Sequence, residues 1–139
     1  MQTFLPVPDF ALSAGYLDDV RLGKQRVEVF QIVRTLDGVT QGWRNHPAVR
    51  MWRGYEAALI EYGATVCTEW VRRGNADTVA AKLLEHRRDG PLELPPWFGD
   101  GALYASHRSN LIRKDPLWYR AFGWTDPDDL PYVWPVPKD

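Results

Sequence analysis

The chain has 139 residues, a length that suits one domain, and 45% of them are apolar, enough for a real core. Its formal net charge is −1 and its isoelectric point about 6.3, so bulk charge lacks the basic excess of a dedicated nucleic-acid binder and any such contact must come from a local basic patch. No stretch approaches the roughly 18 consecutive apolar residues of a membrane helix, and the start MQTFLPVPDF has no basic region followed by an apolar run, so no signal peptide is expected. The one cysteine, Cys67, excludes an internal disulfide and cannot by itself make a Cys-based zinc site, which points to a bacterial-type cytoplasm or another reducing compartment.

Pro6 and Pro8 make the first segment extended. Asp9 or Ser13 can cap a first helix that runs to about Leu36, where Asp37-Gly38 stops it. Pro47 suits the first position of a second helix capped by Asn45 or His46, reaching about Arg73. Gly54 and Gly63 inside it each cost about 1 kcal/mol relative to Ala and are expected at close helix contacts. A shorter helix follows from Asp77-Thr78 to about Arg88, and the Pro- and Gly-rich stretch to Asp100 is a loop. A fourth helix spans Gly101 to Lys114, ended by Asp115-Pro116. The remainder is rich in Trp, Tyr and Pro and reads as an extended wrap over the helices, because disordered tails are poor in such residues. The expectation is an all-α fold over residues 1–139: a single-domain bundle of about four helices with an extended C-terminal tail.

At about 100° per residue, Arg21, Lys24, Gln25 and Glu28 share one face of the first helix, and Leu22, Val29, Phe30, Val33 and Leu36 share the other. Arg26 falls with the apolar set and needs a carboxylate or carbonyl from another segment. The polar face reads either as an ordinary solvated surface or as a site, in which cations hold phosphates around one carboxylate. That carboxylate suits stabilisation of a cationic transition state better than proton donation. On the second helix His46, Arg50 and Arg53 form a basic stripe beginning at the N-terminus, with a plain capping histidine as the alternative for His46. On the fourth, His107, Asn110 and Lys114 fall on one face, and Arg108 turns toward the apolar side. Its polar run Ser106–Asn110 reads equally as a clamp on the tail or as ligand contacts. The three histidines lack ligand spacing, so no metal is expected, and no glycine pattern for a nucleotide cofactor appears.

Three segments, in order, resemble the pyrimidine-dimer DNA glycosylase/abasic-site lyase (endonuclease V-like) family, nearer a bacterial branch than the phage enzyme. They are Leu17–Arg34 (LDDVRLGKQRVEVFQIVR), His46–Arg73 with the following Gly74 and Asp77-Thr78, and Ser106–Gly123 with its Asp-Pro-Leu-Trp-Tyr-Arg run. The resemblance implies a compact all-helical domain acting on DNA without a cofactor. It also implies that an N-terminal α-amine attacks the sugar C1′, releases the base and forms a Schiff base, with a glutamate of the first helix assisting. An α-amine suits this because its usual pKa, about 7.7–8.0, lies near neutrality. Two departures stand out. Position 2 is Gln, too large for the usual removal of Met1, so the amine would be that of Met1 or the lyase step is absent. The family's adjacent Arg-Glu is here Arg26-Val27-Glu28, so Gln25 or Glu28 takes the carboxylate's place and only Glu28 keeps the charge. The expected function is a DNA N-glycosylase-like enzyme on a damaged or modified base, with Met1 and Glu28 as catalytic groups. Arg21, Lys24, Gln25, Arg26, His46, Arg50, Arg53, His107 and Arg108 are the candidate DNA or substrate contacts. The alternatives are a non-catalytic nucleic-acid-binding relative and an enzyme on a nucleotide-like small substrate.

Overall fold

An extended segment without a sheet opens the chain, and residues 2–6 of it are buried. Buried backbone groups need partners, and here helices supply side chains in place of a neighbouring strand. The Phe4 N–H donates to Gln25 Oε1 at 2.7 Å and the Leu5 N–H to His107 Nδ1 at 2.9 Å. The Gln2 carbonyl accepts from Gln25 Nε2 at 2.8 Å, and the Pro6 carbonyl from Arg108 at 2.8 Å. Tyr62 donates its hydroxyl to the Phe4 carbonyl, and Trp52 Nε1 donates to Thr3 Oγ1 at 3.0 Å. Chain ends are ordinarily loose unless tied down, and this one is tied residue by residue.

The computed structural model describes residues 1–136 and is all-helical, as the composition and periodicity predict. Its seven α-helices, among the described residues, are α1 (Phe10–Tyr16), α2 (Asp19–Leu36), α3 (Pro47–Arg50), α4 (Glu56–Arg72), α5 (Val79–Leu84), α6 (Gly101–Lys114) and α7 (Pro116–Arg120). A 3₁₀ turn, Pro96–Gly99, precedes α6. None of these helices is long and apolar enough to cross a membrane.

Besides the helix expected to reach about Arg88, which as α5 stops at Leu84, three boundaries differ from expectation, each for a local reason. The first helix is two helices, because Leu17 and Asp18 are extended. Tyr119 holds that break from far along the chain: its hydroxyl donates to Asp18 Oδ1 and accepts the Asp18 N–H at 3.0 Å. The second helix is also two, interrupted at 51–55, where Gly54 takes φ of 89°. Gly54 therefore marks a break, with nothing within 4 Å of a Cβ placed on it. Gly63 is the close contact, since a Cβ there would lie 2.6 Å from Val29 Cγ1 and 2.8 Å from Leu83 Cδ1. Finally, Asp115-Pro116 ends one helix and starts another: Asp115 caps α7 by accepting the Trp118 N–H at 3.2 Å.

Helix α4 is the hub and packs against α1, α2 and α5. The fully buried Leu22, Val29, Ile32, Leu59, Tyr62, Val66 and Leu83 form the centre. Arg26, on the apolar side of α2, finds Asp77 as its ion partner and lies 4.5 Å over the Trp70 ring. Burial works to raise the Asp77 carboxyl, but hydrogen bonds from the Ala80 N–H and Arg26 outweigh it and hold it below its usual range. The tail wraps α6 as expected, and α6 polar side chains pin it. Ser109 Oγ accepts the Leu130 N–H at 3.0 Å, Asn110 donates to the Leu130 carbonyl at 3.0 Å, and Ser106 Oγ accepts the Val133 N–H at 3.1 Å.

Candidate active site

The clamped N-terminal segment runs across the polar face of α2 and closes a cavity there. The cavity measures about 270 Å³ and is lined by Met1, Gln2, Phe4, Arg21, Lys24, Gln25, Glu28, Lys114 and Tyr132. Helix α2 contributes four of these at the i, i+3, i+4, i+7 spacing of one helical face.

Glu28 is half-buried and accepts the backbone N–H of Gln2 at 3.2 Å. The nitrogen held at the carboxylate is thus that of residue 2, and no ion pair joins the Met1 ammonium to Glu28 among the described residues. Both groups act on His46. Burial pushes that imidazole below its ordinary value, the Met1 ammonium lowers it further, and Glu28 works against them. His46 caps α3 by accepting the Ala48 N–H on Nδ1 at 3.0 Å, which leaves the proton of the neutral ring on Nε2. Its ring meets Trp43 and Trp134 edge-on, at 5.7 and 5.9 Å.

The cations differ in what they are free to do. Arg21 is held by Asp18 at 3.1 Å. Lys24 and Lys114 are exposed and take part in no ion pair among the described residues. Two or three positive side chains around one carboxylate can hold a phosphate while the carboxylate faces developing positive charge.

The other expected contacts stand elsewhere. Gln25 lies in the wall, but it is buried, and its two polar atoms serve Gln2, Phe4 and Tyr62. Arg26 is engaged with Asp77 and Trp70, outside the cavity. His107 is fully buried beneath Leu5, and burial pushes its imidazole down to about 3. Arg108 binds Asp126 at 2.9 Å and the Pro6 carbonyl. Arg53 is exposed and donates to the Arg44 carbonyl at 3.0 Å, and neither it nor Arg50 lines the cavity. The structure adds Gln2, Phe4 and Tyr132, and brings Lys114 in with them. The signal for Tyr132 was only its place in an aromatic extended tail, since nothing local in sequence says which helix that tail crosses.

Among the described residues no cluster of three His, Cys, Asp or Glu side chains is arranged to hold a metal. No curated protein and no solved structure matches the chain. A family model described as pyrimidine dimer DNA glycosylase matches residues 1–83, which include the clamped N-terminal segment and all the α2 residues of the cavity. With the match spanning more than half its length, and with the all-helical fold, the chain belongs to the pyrimidine dimer DNA glycosylase family.

Proposed function

We propose that this chain is a DNA glycosylase with abasic-site lyase activity on a pyrimidine dimer or a related damaged pyrimidine. In this reading the α-amine of Met1 is the nucleophile and Glu28 is the charge-stabilising carboxylate. The observation that carries it is the clamped N-terminus: an extended segment tied by side chains into the core, with the Gln2 N–H on Glu28 at 3.2 Å inside a cationic cavity.

The amine lone pair attacks C1′ of the damaged nucleotide, and the electrons of the glycosidic bond leave with the base, which takes up a proton. The sugar opens to an iminium on the amine nitrogen. Loss of a C2′ proton then expels the 3′ phosphate. Glu28 faces the positive charge that builds at C1′ and on nitrogen, which is where a fixed carboxylate lowers the barrier. Lys24 and Lys114, with Arg21 beside them, hold the flanking phosphates. The reacting nucleotide must leave the base stack to reach such a cavity.

Borohydride reduction on abasic-site DNA tests the assignment. The expected result is a covalent protein–DNA adduct at the N-terminal peptide, with intact mass showing Met1 present. Absence of an adduct, or one unchanged by blocking the α-amine, refutes it. Glu28→Gln keeps an acceptor for the Gln2 N–H and removes only the charge, so trapping and base release are expected to fall at least about 100-fold with the fold unchanged. Wild-type rates in that variant would remove Glu28 from the mechanism.

A further inference from the structure

Tyr132 lies outside the family-matched residues 1–83, yet it forms part of the Glu28 cavity wall. Its ring is fixed by Phe4 at 6.4 Å, His107 at 5.8 Å and Trp134 at 5.6 Å, and its backbone by the Ser106 bond to neighbouring Val133. The hydroxyl, by contrast, has no hydrogen-bond partner among the described residues. The side chain is only half-buried, so the hydroxyl is not sealed in the core. Burial and Glu28 push the phenol's pKa up while Arg113 and Arg21 oppose them, which keeps the hydroxyl a donor at neutral pH. A second donor in the same wall, Gln2 Nε2, is buried and also unpartnered. Buried donors in folded proteins are almost always paired, so Gln2 Nε2 is an exception in this wall, and the half-exposed Tyr132 hydroxyl beside it is free to donate to an acceptor-bearing ligand in the cavity. Lys114, exposed and outside any ion pair, supplies a cation at the same rim.

We infer that Tyr132 is a substrate-contacting residue, its hydroxyl donating to an oxygen of a pyrimidine nucleotide unit held in the cavity while Lys114 takes the adjoining phosphate. This rests on the glycosylase reading for its substrate and extends the site to the tail. The cavity, about 270 Å³, falls just below the roughly 300–1,000 Å³ usual for ligand sites, which suits one nucleotide unit and no more.

Tyr132→Phe separates this from a packing role, because it keeps the ring contacts and removes only the unpartnered hydroxyl. On dimer-containing duplex DNA, KM is expected to rise roughly 3- to 10-fold, the range of one hydrogen bond, with kcat and melting temperature unchanged. Lys114→Ala is expected to reduce the slope of log affinity against log salt by about 0.9, one phosphate contact on duplex DNA. Thymidine 5′-monophosphate, titrated by NMR, is the probe independent of catalysis. If wild-type protein cleaves DNA and Tyr132→Phe does so with the same KM, the inference falls and the glycosylase reading stands. If no DNA is cleaved but thymidine monophosphate binds and Tyr132→Phe weakens it, the inference stands and the glycosylase reading falls. If neither DNA nor nucleotide is bound or processed, both fall. An unchanged salt slope in Lys114→Ala removes the phosphate half of the assignment.

Discussion

Replacing Gln25 by Met tests whether the clamp on the N-terminus serves the site or only the fold. Gln25 is buried, accepting the Phe4 N–H at 2.7 Å and donating to the Gln2 carbonyl at 2.8 Å. Met fills nearly the same space and can make neither bond. It leaves two buried backbone groups unpaired, at about 1–3 kcal/mol each, or about 2–6 kcal/mol together. The Tyr62 hydroxyl keeps the Phe4 carbonyl as its partner. The loss therefore falls on residues 1–5 and not on the α2–α4 core, and it is met by local opening. Amide exchange over residues 2–5 is expected to speed up by about 30-fold or more, one decade for each 1.4 kcal/mol. Borohydride trapping should fall in parallel while the melting temperature moves little. Hydrogen-exchange mass spectrometry of the N-terminal peptide and a trapping gel read both quantities on one preparation. Wild-type exchange would refute the energetic argument. Fast exchange with full trapping would refute the link between a fixed amino end and catalysis.

Gly63→Ala forces a Cβ to within 2.6 Å of Val29 and 2.8 Å of Leu83, both fully buried. The overpacking, about 1–3 kcal/mol, outweighs the roughly 1 kcal/mol gained in helix propensity, and the melting temperature should drop by a few degrees. Gly15→Ala, with nothing within 4 Å of the added carbon, should instead raise it; opposite signs by calorimetry are the check. Burial holds His107 neutral, pushing its imidazole down to about 3 from the ordinary value of about 6.5, so as pH falls through 6.5 the unfolded chain binds a proton that the folded one refuses. Its contribution is present in full above pH 6.5 and is lost at about 1.4 kcal/mol per pH unit between there and pH 3. Urea unfolding at pH 6, 5 and 4 should show a slope about one proton smaller in His107→Asn; equal slopes would mean the buried imidazole does not control acid stability.

The helical wheel read α2 well where the neighbour is apolar and less well where it is polar. It placed Arg26 inward and in need of a distant partner, and Asp77 fills that need. It grouped Gln25 with Arg21, Lys24 and Glu28, since a wheel does not register that a polar face can be covered by a backbone segment from elsewhere. The break before Asp19 was illegible because its cause, Tyr119, lies 101 residues away. The start of α7 is legible: Asp115-Pro116 is as good a cap and first position as His46-Pro47, as well as a stop for α6. Half of the cavity, the face of α2, was visible as spacing. The half supplied by Lys114 and Tyr132 depends on where the tail crosses α6, which is set by Ser106, Ser109 and Asn110.

The side-chain ties on the amino end also govern the order in which the molecule is completed. Residues 5 and 6 lie far before the partners that hold them. Leu5 waits for His107, 102 residues later, and Pro6 waits for Arg108. Such distant pairings come late in folding, after loop closure has been paid for. A chain stopped before α6 carries the family-matched residues without the Lys114 and Tyr132 side of the cavity. The cavity is therefore complete only once α6 and the tail are in place.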